Sequence, residues 1–314
     1  LPPIDVVLVN WNSGTYLHEC LQSFVDGPWR HTSIGKVIVV DNASSDHSLD
    51  GIGLLPPPVL ILRNTSNRGF AAACNQGAKA GTAPLILFLN PDTRLNPDSI
   101  SVPVRFLSRP EQDQVGICGV QLLDRTGCVS RTCMRFPTAG RLLSSLAGSQ
   151  RCAFTQHLGY SMLDWAHDDT RRVDAVSGAF MVVRRPLFEA LGGFEERFFL
   201  YFEEIDFCYR AFERGWSSAY VSEARVYHEG SPSWDRLDAW KLFHSARSRI
   251  MYSFLHCSAW SAALYALSVM VIEPCSRVLA GMVHGSFRSV MEGIRAYVLL
   301  GKHLPAILKE AARR

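Results

Sequence analysis

The chain has no CxxC pair, and its nine cysteines, an odd number, show no Cys/His spacing of a zinc site. A disulfide framework and a structural zinc are therefore not expected, whereas a reducing compartment is. No GxGxxG and no GxxxxGK(S/T) turn occurs, which argues against a dinucleotide fingerprint and a P-loop. There is no internal repeat and no low-complexity run. Charged residues are only 19% of the 314, against 47% hydrophobic, which excludes disorder, collagen and coiled coil. Leu1-Pro2-Pro3-Ile4 carry neither an initiator Met nor a charged-then-apolar leader. The expectation is a trimmed chain without a secretion signal.

What charge there is divides unevenly. From Arg236 onward, 11 Lys/Arg face 4 Asp/Glu, while the first 235 residues carry 21 against 25. An acidic body with a basic, apolar tail argues against nucleic acid as a partner and for a soluble body whose tail faces anionic lipid.

Four short runs, 4–9, 36–40, 59–62 and 85–89, are rich in Val, Ile and Leu and too short for helices. They read as strands covered on both faces. Amphipathic stretches at 15–25 and 69–80 lie between them, an alternation that implies an α/β fold with a parallel sheet. Such sheets bind ligands at the carboxyl ends of their strands. Polar clusters stand there: Asn10-Trp11-Asn12, Asp41-Asn42-Ala43-Ser44-Ser45-Asp46, Arg63-Asn64 with Asn67-Arg68-Gly69-Phe70, and Asn90-Pro91-Asp92-Thr93. They should converge on one crevice. From 116 to 169 the pattern weakens into expected hairpins and loops. Strand, turn and strand return at 173–185 around Ser177-Gly178-Ala179-Phe180. Short helices are expected over 186–191 and 202–214, ended by Gly192-Gly193 and Gly215, with two short strands near 219–221 and 225–228.

Each polar group has two readings. Asp92, after an apolar strand, suits Mg²⁺ or Mn²⁺ held against a diphosphate, or a helix N-cap. Asp41 suits a nucleobase or ribose, or an Asx-turn. On one predicted helix, Glu203, Asp206 and Arg210 share a face and Glu204 stands about 100° away. These carboxylates either complement the helix dipole or, beside Phe198, Phe199, Tyr201 and Phe202, supply a general base. His228 suits a metal or a diphosphate, or a structural role. In the tail, 250–272 is apolar but interrupted by serines and His256. A stripe of Leu279, Met282, Val283, Val290, Ile294, Tyr297 and Val298 has Arg277, Arg288 and Arg295 largely off it. In-plane interfacial helices, packing against the body or a dimer partner, and a true span all remain open.

In order along the chain, Val39-Val40-Asp41-Asn42-Ala43-Ser44-Ser45-Asp46, Asn67-Arg68-Gly69-Phe70-Ala71, Leu89-Asn90-Pro91-Asp92-Thr93, Ser177-Gly178-Ala179-Phe180 and Gly192-Gly193-Phe194-Glu195-Glu196-Arg197-Phe198-Phe199 appear. They lead into Tyr201-Phe202-Glu203-Glu204-Ile205-Asp206 and then His228. Over residues 4–232 this resembles a family-2 glycosyltransferase of the GT-A fold, in the rhamnosyltransferase-like subgroup. The resemblance implies an inverting transfer from a nucleoside diphosphate sugar. It implies a nucleotide-binding role for Asp41, a DxD-type motif at Asn90-Pro91-Asp92 with Asp92 on Mg²⁺ or Mn²⁺, and His228 as a further ligand. Arg68 and Asn75 would shape the nucleotide pocket and Ser177, Gly178 and Ala179 would line the donor sugar. The base would lie in the Glu203-Glu204 pair, Glu204 first, with Glu203 and Asp206 as alternatives. Asn10, Asn12, Asn42, Gly69 and Asn90 complete the donor crevice.

The implied layout is a nucleotide-sugar half at 1–115, an acceptor and catalytic half at 116–235, and a basic amphipathic helical tail at 236–314. The expected function is transfer of rhamnose or another deoxyhexose from a dTDP- or UDP-sugar to a lipid-linked or cell-surface glycan, such as a polyprenyl-diphosphate glycan. The enzyme would sit peripherally on the cytoplasmic face of a membrane. The alternatives are a polyprenyl-phosphate sugar synthase and a catalytically silent membrane-docking protein of the same fold.

Overall fold

A computed structural model describes residues 1–26, 33–52, 59–230, 238–283 and 285–312. The chain forms two compact units. One comprises 1–134, 165–196 and 203–230, and the other 135–164, 197–202 and the described part of 231–314. The expected boundary at 235/236 lies outside the described residues.

In the first unit, β1 (Ile4–Asn10), β2 (Ile34–Asp41), β3 (Val59–Arg63) and β4 (Leu85–Leu89) are parallel, with β1 between β2 and β4 and β3 outside β2. Every residue of β1 and β4 is buried, which is why β4 reads as an unbroken apolar run and β1 as one interrupted only by Asp5 before its terminal Asn10. Helices α1 (Tyr16–Asp26) and α2 (Phe70–Ala80) supply crossovers. Gly77 lets α2 lie directly on β1: a Cβ there would stand 2.4 Å from Val7 Cγ1.

After β5 (Thr93–Leu95) and α3 (Ser101–Leu107) comes β6 (Val115–Leu123), buried at all nine positions. This strand falls where loops were expected. Its apolar run is broken by Gly116, Gly119 and Gln121, and the reasons are tertiary. A Cβ at Gly119 would meet Val176 Cβ at 2.6 Å, and Gln121 Nε2 donates to His167 O at 2.8 Å. The sheet continues with β7 (Val129–Ser130), β8 (Arg171–Val173), β9 (Phe180–Arg184) and β10 (Ser217–His228). Its order is β3-β2-β1-β4-β9-β6-β10-β5, with β7 on β6 and β8 on β10. Strand β9 is antiparallel to β4 and β6, so the sheet is mixed. The two short strands expected near 219 and 225 are one strand with a register shift between Val221 and Arg225. Short α5 (Arg185–Ala190) ends at Gly192 and Gly193, both at positive φ (74° and 83°), and α6 (Glu203–Glu213) ends at Gly215.

Asp5 ties the base of the sheet. Its carboxylate accepts from Lys36 N at 2.9 Å, Ala83 N at 2.7 Å and Arg185 Nη2 at 2.9 Å, and Arg185 Nη1 also donates to Ala78 O.

In the second unit, α4 (Ala139–Leu146) accompanies α7 (Ala239–His256), α8 (Ala259–Val283) and α9 (Phe287–Ala311). The apolar run 250–272 is not one helix: Cys257 is extended and separates α7 from α8. Gly285, at φ 63°, separates α8 from α9. Inside the bundle, Arg249 Nη2 donates to both oxygens of Glu273 at 2.9 and 2.8 Å. Arg277 Nη2 reaches the same carboxylate at 3.0 Å, and Arg277 Nε reaches Tyr297 OH at 3.2 Å. Burial would push the Glu273 carboxyl up, but the two guanidinium groups more than offset it and hold it below its usual range.

Candidate active site

The first two strand ends are joined side chain to side chain. Asn10 and Asp41 are register partners. Asn10 Nδ2 donates to Asp41 Oδ1 at 2.9 Å and also lies within reach of Ser44 and Ser48 Oγ. Asp41 Oδ2 accepts from Ser44 N at 3.2 Å. Both residues are buried, so the local turn is formed and the pair makes the floor of the loop. The rim is Asn12, exposed and at φ 50°. Its N donates to Ser44 Oγ at 3.0 Å and its Oδ1 accepts from Ser45 N at 2.8 Å. Asn42 extends the floor toward β3, donating to Gly69 O at 3.0 Å and accepting from Asn64 Nδ2 at 2.9 Å. Gly69, at φ 87°, opens α2, and Arg68 before it is exposed.

Asn75 is placed differently from the rest. It is buried on α2, donates to Phe194 O at 2.9 Å, and accepts from Phe194 N at 2.8 Å. A Cβ at Gly193 would stand 2.5 Å from its Oδ1. The amide clamps the 193–194 backbone, and a donor in the crevice would meet what it positions rather than its side chain.

At the end of β4, Asn90 N donates to Ala179 O at 3.0 Å, and Thr93 Oγ1 donates to Asn90 O at 2.6 Å. The next element is β5, so Asp92 caps no helix. Strands β5 and β10 pair antiparallel with His228 opposite Thr93. That register brings His228 Nε2 to 3.3 Å from Asp92 Oδ1, while Glu229 N donates to Asp92 O. Burial pushes the Asp92 carboxyl up; the His228 ring and the backbone N–H groups of Asp92 and Gly230 outweigh that and hold it below its usual range. Sequence reading missed Arg125, which pairs with Glu229 and donates to Tyr16 OH at 2.9 Å. The signal was Asp124-Arg125-Thr126-Gly127, whose Gly127 at φ 81° makes a tight hairpin.

Among the described residues no cluster of three His, Cys, Asp or Glu side chains could hold a metal. An ionised Asp92 beside His228 is nevertheless the donor set that Mg²⁺ or Mn²⁺ uses when substrate phosphates and water complete the shell, so the residues fit such an ion.

The carboxylates of α6 separate by position. Tyr201 and Phe202 both have left-handed φ (68° and 72°) immediately before the helix, a conformation costing about 1–3 kcal/mol per non-glycine residue and concentrated at functional sites. Glu203 is buried, and its Oε2 has no hydrogen-bond partner. Burial, with the neighbouring Glu204 and Asp206 charges, pushes its carboxyl well above the usual range. Asp206 is buried against Arg210 Nε at 2.7 Å, and Arg210 also donates to Leu191 O and Gly193 O. Glu204 is half-buried, and Gly178 lies against it: a Cβ at Gly178 would stand 3.7 Å from Glu204 Cβ. Ser177 Oγ accepts from Ala179 N at 3.2 Å, shaping this turn. Gly178 adjoins Ala179, which Asn90 holds, so the Asp92 turn and Glu204 are linked through one backbone segment. The aromatic residues before the helix are largely core. Phe198 and Phe202 are buried, Phe202 meets Tyr160 and Tyr252 edge-on, and Phe199 stacks on His244.

This mixed sheet, with its polar side chains gathered on strand-end loops, has the GT-A fold of glycosyltransferases. A solved structure of GalNAc-T7 with UDP, GalNAc and Mn²⁺ superposes with a TM-score of 0.58 at 17% identity, over 81% of this chain and 48% of that one. The mannosyltransferase PcManGT of Pyrobaculum calidifontis, solved with GDP-Man and Mn²⁺, gives 0.55 at 16% identity, over 99% of this chain and 87% of that one. Residues 2–252 match the family model described as Glycosyltransferase like family 2, and the chain belongs to that family. The N-acetylglucosaminyl-diphospho-decaprenol L-rhamnosyltransferase of Mycobacterium tuberculosis is 29% identical over 83% of this chain and 87% of its own length. The low-salt glycan biosynthesis hexosyltransferase Agl10 of Haloferax volcanii is 25% identical over 67% of this chain and 62% of its own.

Proposed function

We propose that this glycosyltransferase moves a deoxyhexose, L-rhamnose first, from a dTDP- or UDP-sugar to an N-acetylglucosaminyl-diphospho-polyprenol acceptor. It inverts the anomeric carbon and works peripherally at the cytoplasmic face of a membrane. The observation that carries the reading is the backbone link from the Asp92–His228 turn, through Asn90 and Ala179, to Gly178 against Glu204. That connection supports assigning a diphosphate-binding group and a base to one strand-end crevice. Similarity to the mycobacterial rhamnosyltransferase supports the choice of sugar and acceptor class.

Asp92 and His228 would hold the Mg²⁺ or Mn²⁺, whose chemistry is to neutralise charge on the leaving diphosphate. The loop built on Asn10, Asp41 and Asn42, with Asn12 and Arg68 at its edge, would seat the nucleotide. Ser177 and Gly178 would face the donor sugar. Glu204 takes the proton of the acceptor hydroxyl at its carboxylate as that oxygen attacks from the face opposite the diphosphate. Glu203 is the weaker candidate for that role: burial and the neighbouring Glu204 and Asp206 charges raise its proton affinity well above the usual range, which favours its neutral form.

The test is transfer by the purified chain with dTDP-L-rhamnose and a UDP-sugar panel, with and without Mn²⁺, on a short-chain N-acetylglucosaminyl-diphospho-prenol. Metal-dependent transfer of one sugar with inverted configuration by NMR is expected, and Asp92→Asn should abolish metal-dependent nucleotide binding in calorimetry. Retained configuration, or metal-dependent binding unchanged in Asp92→Asn, overturns the assignment.

A further inference from the structure

Helix α8 has its polarity reversed. Its two charged side chains, Glu273 and Arg277, turn inward to the ion cluster with Arg249 and Tyr297. Its exposed face carries Trp260, Leu264, Leu267, Val271, Ile272, Leu279, Met282 and Val283 and no charge. Trp260 and Val283, at opposite ends, are 88% and 79% exposed. By length and composition α8 is apolar enough to cross a membrane, yet only 29% of its most apolar 18-residue window is buried. A water-facing helix normally shows the opposite arrangement. Helix α9, which packs against α8, adds an exposed apolar row of Phe287, Ile294 and Val298. Flanking it are Arg288, Arg295, Lys302 and Lys309, all exposed and seven residues apart. At about 100° per residue that spacing keeps them within one sector, beside the apolar row. Arg295 is partly neutralised by Glu292 at 3.0 Å; the other three have no acidic side chain recorded against them among the described residues.

We infer that the exposed faces of α8 and α9 dock in the plane of an anionic lipid bilayer, apolar side chains in the acyl boundary and the α9 basic row on the headgroups. The inference deepens the peripheral membrane contact of the proposed function and rests on it only for its biological purpose. Two features select lipid over a second copy of this chain. The surface pairs an uncharged stripe with a row of one sign, which complements an anionic headgroup layer and would repel its own copy across an isologous contact. The inward ion cluster also fixes which face of α8 stays with the protein, so the helix lies on the membrane rather than crossing it.

The experiment uses the full chain without substrate. Sedimentation is measured with vesicles of phosphatidylcholine and with vesicles of equal parts phosphatidylcholine and phosphatidylglycerol. Strong binding to the anionic vesicles, weakened by salt and reversed by alkaline carbonate, is expected. Arg288→Glu with Lys302→Glu should weaken it by roughly tenfold or more, from the worth of a basic residue at an anionic surface. Leu267→Asp with Val271→Asp should weaken it comparably, and both pairs should keep the wild-type melting temperature because all four side chains are exposed. Carbonate-resistant binding would show a span. A wild-type dimer in sedimentation velocity that dissociates in the Asp pair, without vesicle binding, would give the face to a second copy. Either result, or no binding by folded wild type, overturns the inference. Transfer to the short-chain acceptor is assayed in parallel: its absence with docking intact sinks the proposed function alone.

Discussion

Replacing Gly178 by Ala separates the role of the site from the stability of the fold. Gly178 has no left-handed φ, so an L side chain is tolerated there. The new Cβ would stand 3.7, 3.9 and 4.0 Å from Glu204 Cβ, Cγ and Cδ, ordinary van der Waals contact with nothing closer. The fold should therefore gain about 0.4–1 kcal/mol by the smaller unfolded-state entropy of Ala. In the proposed reaction the same methyl occupies space over the base, where acceptor oxygen and anomeric carbon must meet. A displacement of about 1 Å there costs on the order of 10²-fold in rate, about 2.7 kcal/mol of barrier. Urea denaturation should show equal or higher stability, calorimetry an almost unchanged affinity for the nucleotide, and initial rates a kcat lowered by about two orders of magnitude. Full turnover in a protein of raised stability would mean that the acceptor does not approach Glu204 past Gly178, and the base assignment would fall with it. Clear destabilisation would instead refute the geometry.

Glu204→Gln should lower kcat by about 10²–10⁴, the usual range for a lost general base, while Glu203→Gln keeps most of the activity; equal losses would move the base to Glu203. Glu203→Gln also carries a pH signature. Because the folded-state affinity of Glu203 for its proton is raised above the ordinary 4.5, its contribution to stability is present below that value and lost as pH rises toward the folded pKa. Gln holds no titrating proton, so the variant should gain on wild type in urea melts as pH climbs from 4 to 8 and match its pH slope below 4; a constant difference would show that Glu203 ionises normally. Asp5→Ala strands the buried Arg185 guanidinium and two backbone N–H groups. It should cost about 3–5 kcal/mol, and a loss under about 1 kcal/mol would show that water replaces the carboxylate.

The parts of the fold legible in the sequence are those whose environment is simple. Strands β1 and β4 are covered on both faces, so burial wrote apolar runs that end in polar residues where the sheet stops, interrupted only by Asp5, whose carboxylate is paired with Arg185. Strand β6 is equally buried but carries Gly116, Gly119 and Gln121 because Leu187, Val176 and His167 approach it, and those partners lie 46 to 71 residues away in sequence. The same limit applies at the site. Asp92 and His228 could each be named from their place after a strand, but their meeting depends on the β5–β10 register. Asn75 showed only its polar type; its partner is 119 residues distant, and that contact gives it to the backbone of Phe194.

The two glutamates that open α6 show most sharply what separates residue type from role. Glu203 and Glu204 are chemically identical, and one helical step of about 100° turns one into the core and leaves the other half-buried against Gly178. That step has this consequence only because the helix starts where it does. Tyr201 and Phe202 hold left-handed φ just before it, an arrangement that neither an aromatic nor any other side chain prefers. The strained turn is thus the local device that sets which glutamate enters the core and which lies against Gly178, and the proposed choice of Glu204 as the base rests on that placement.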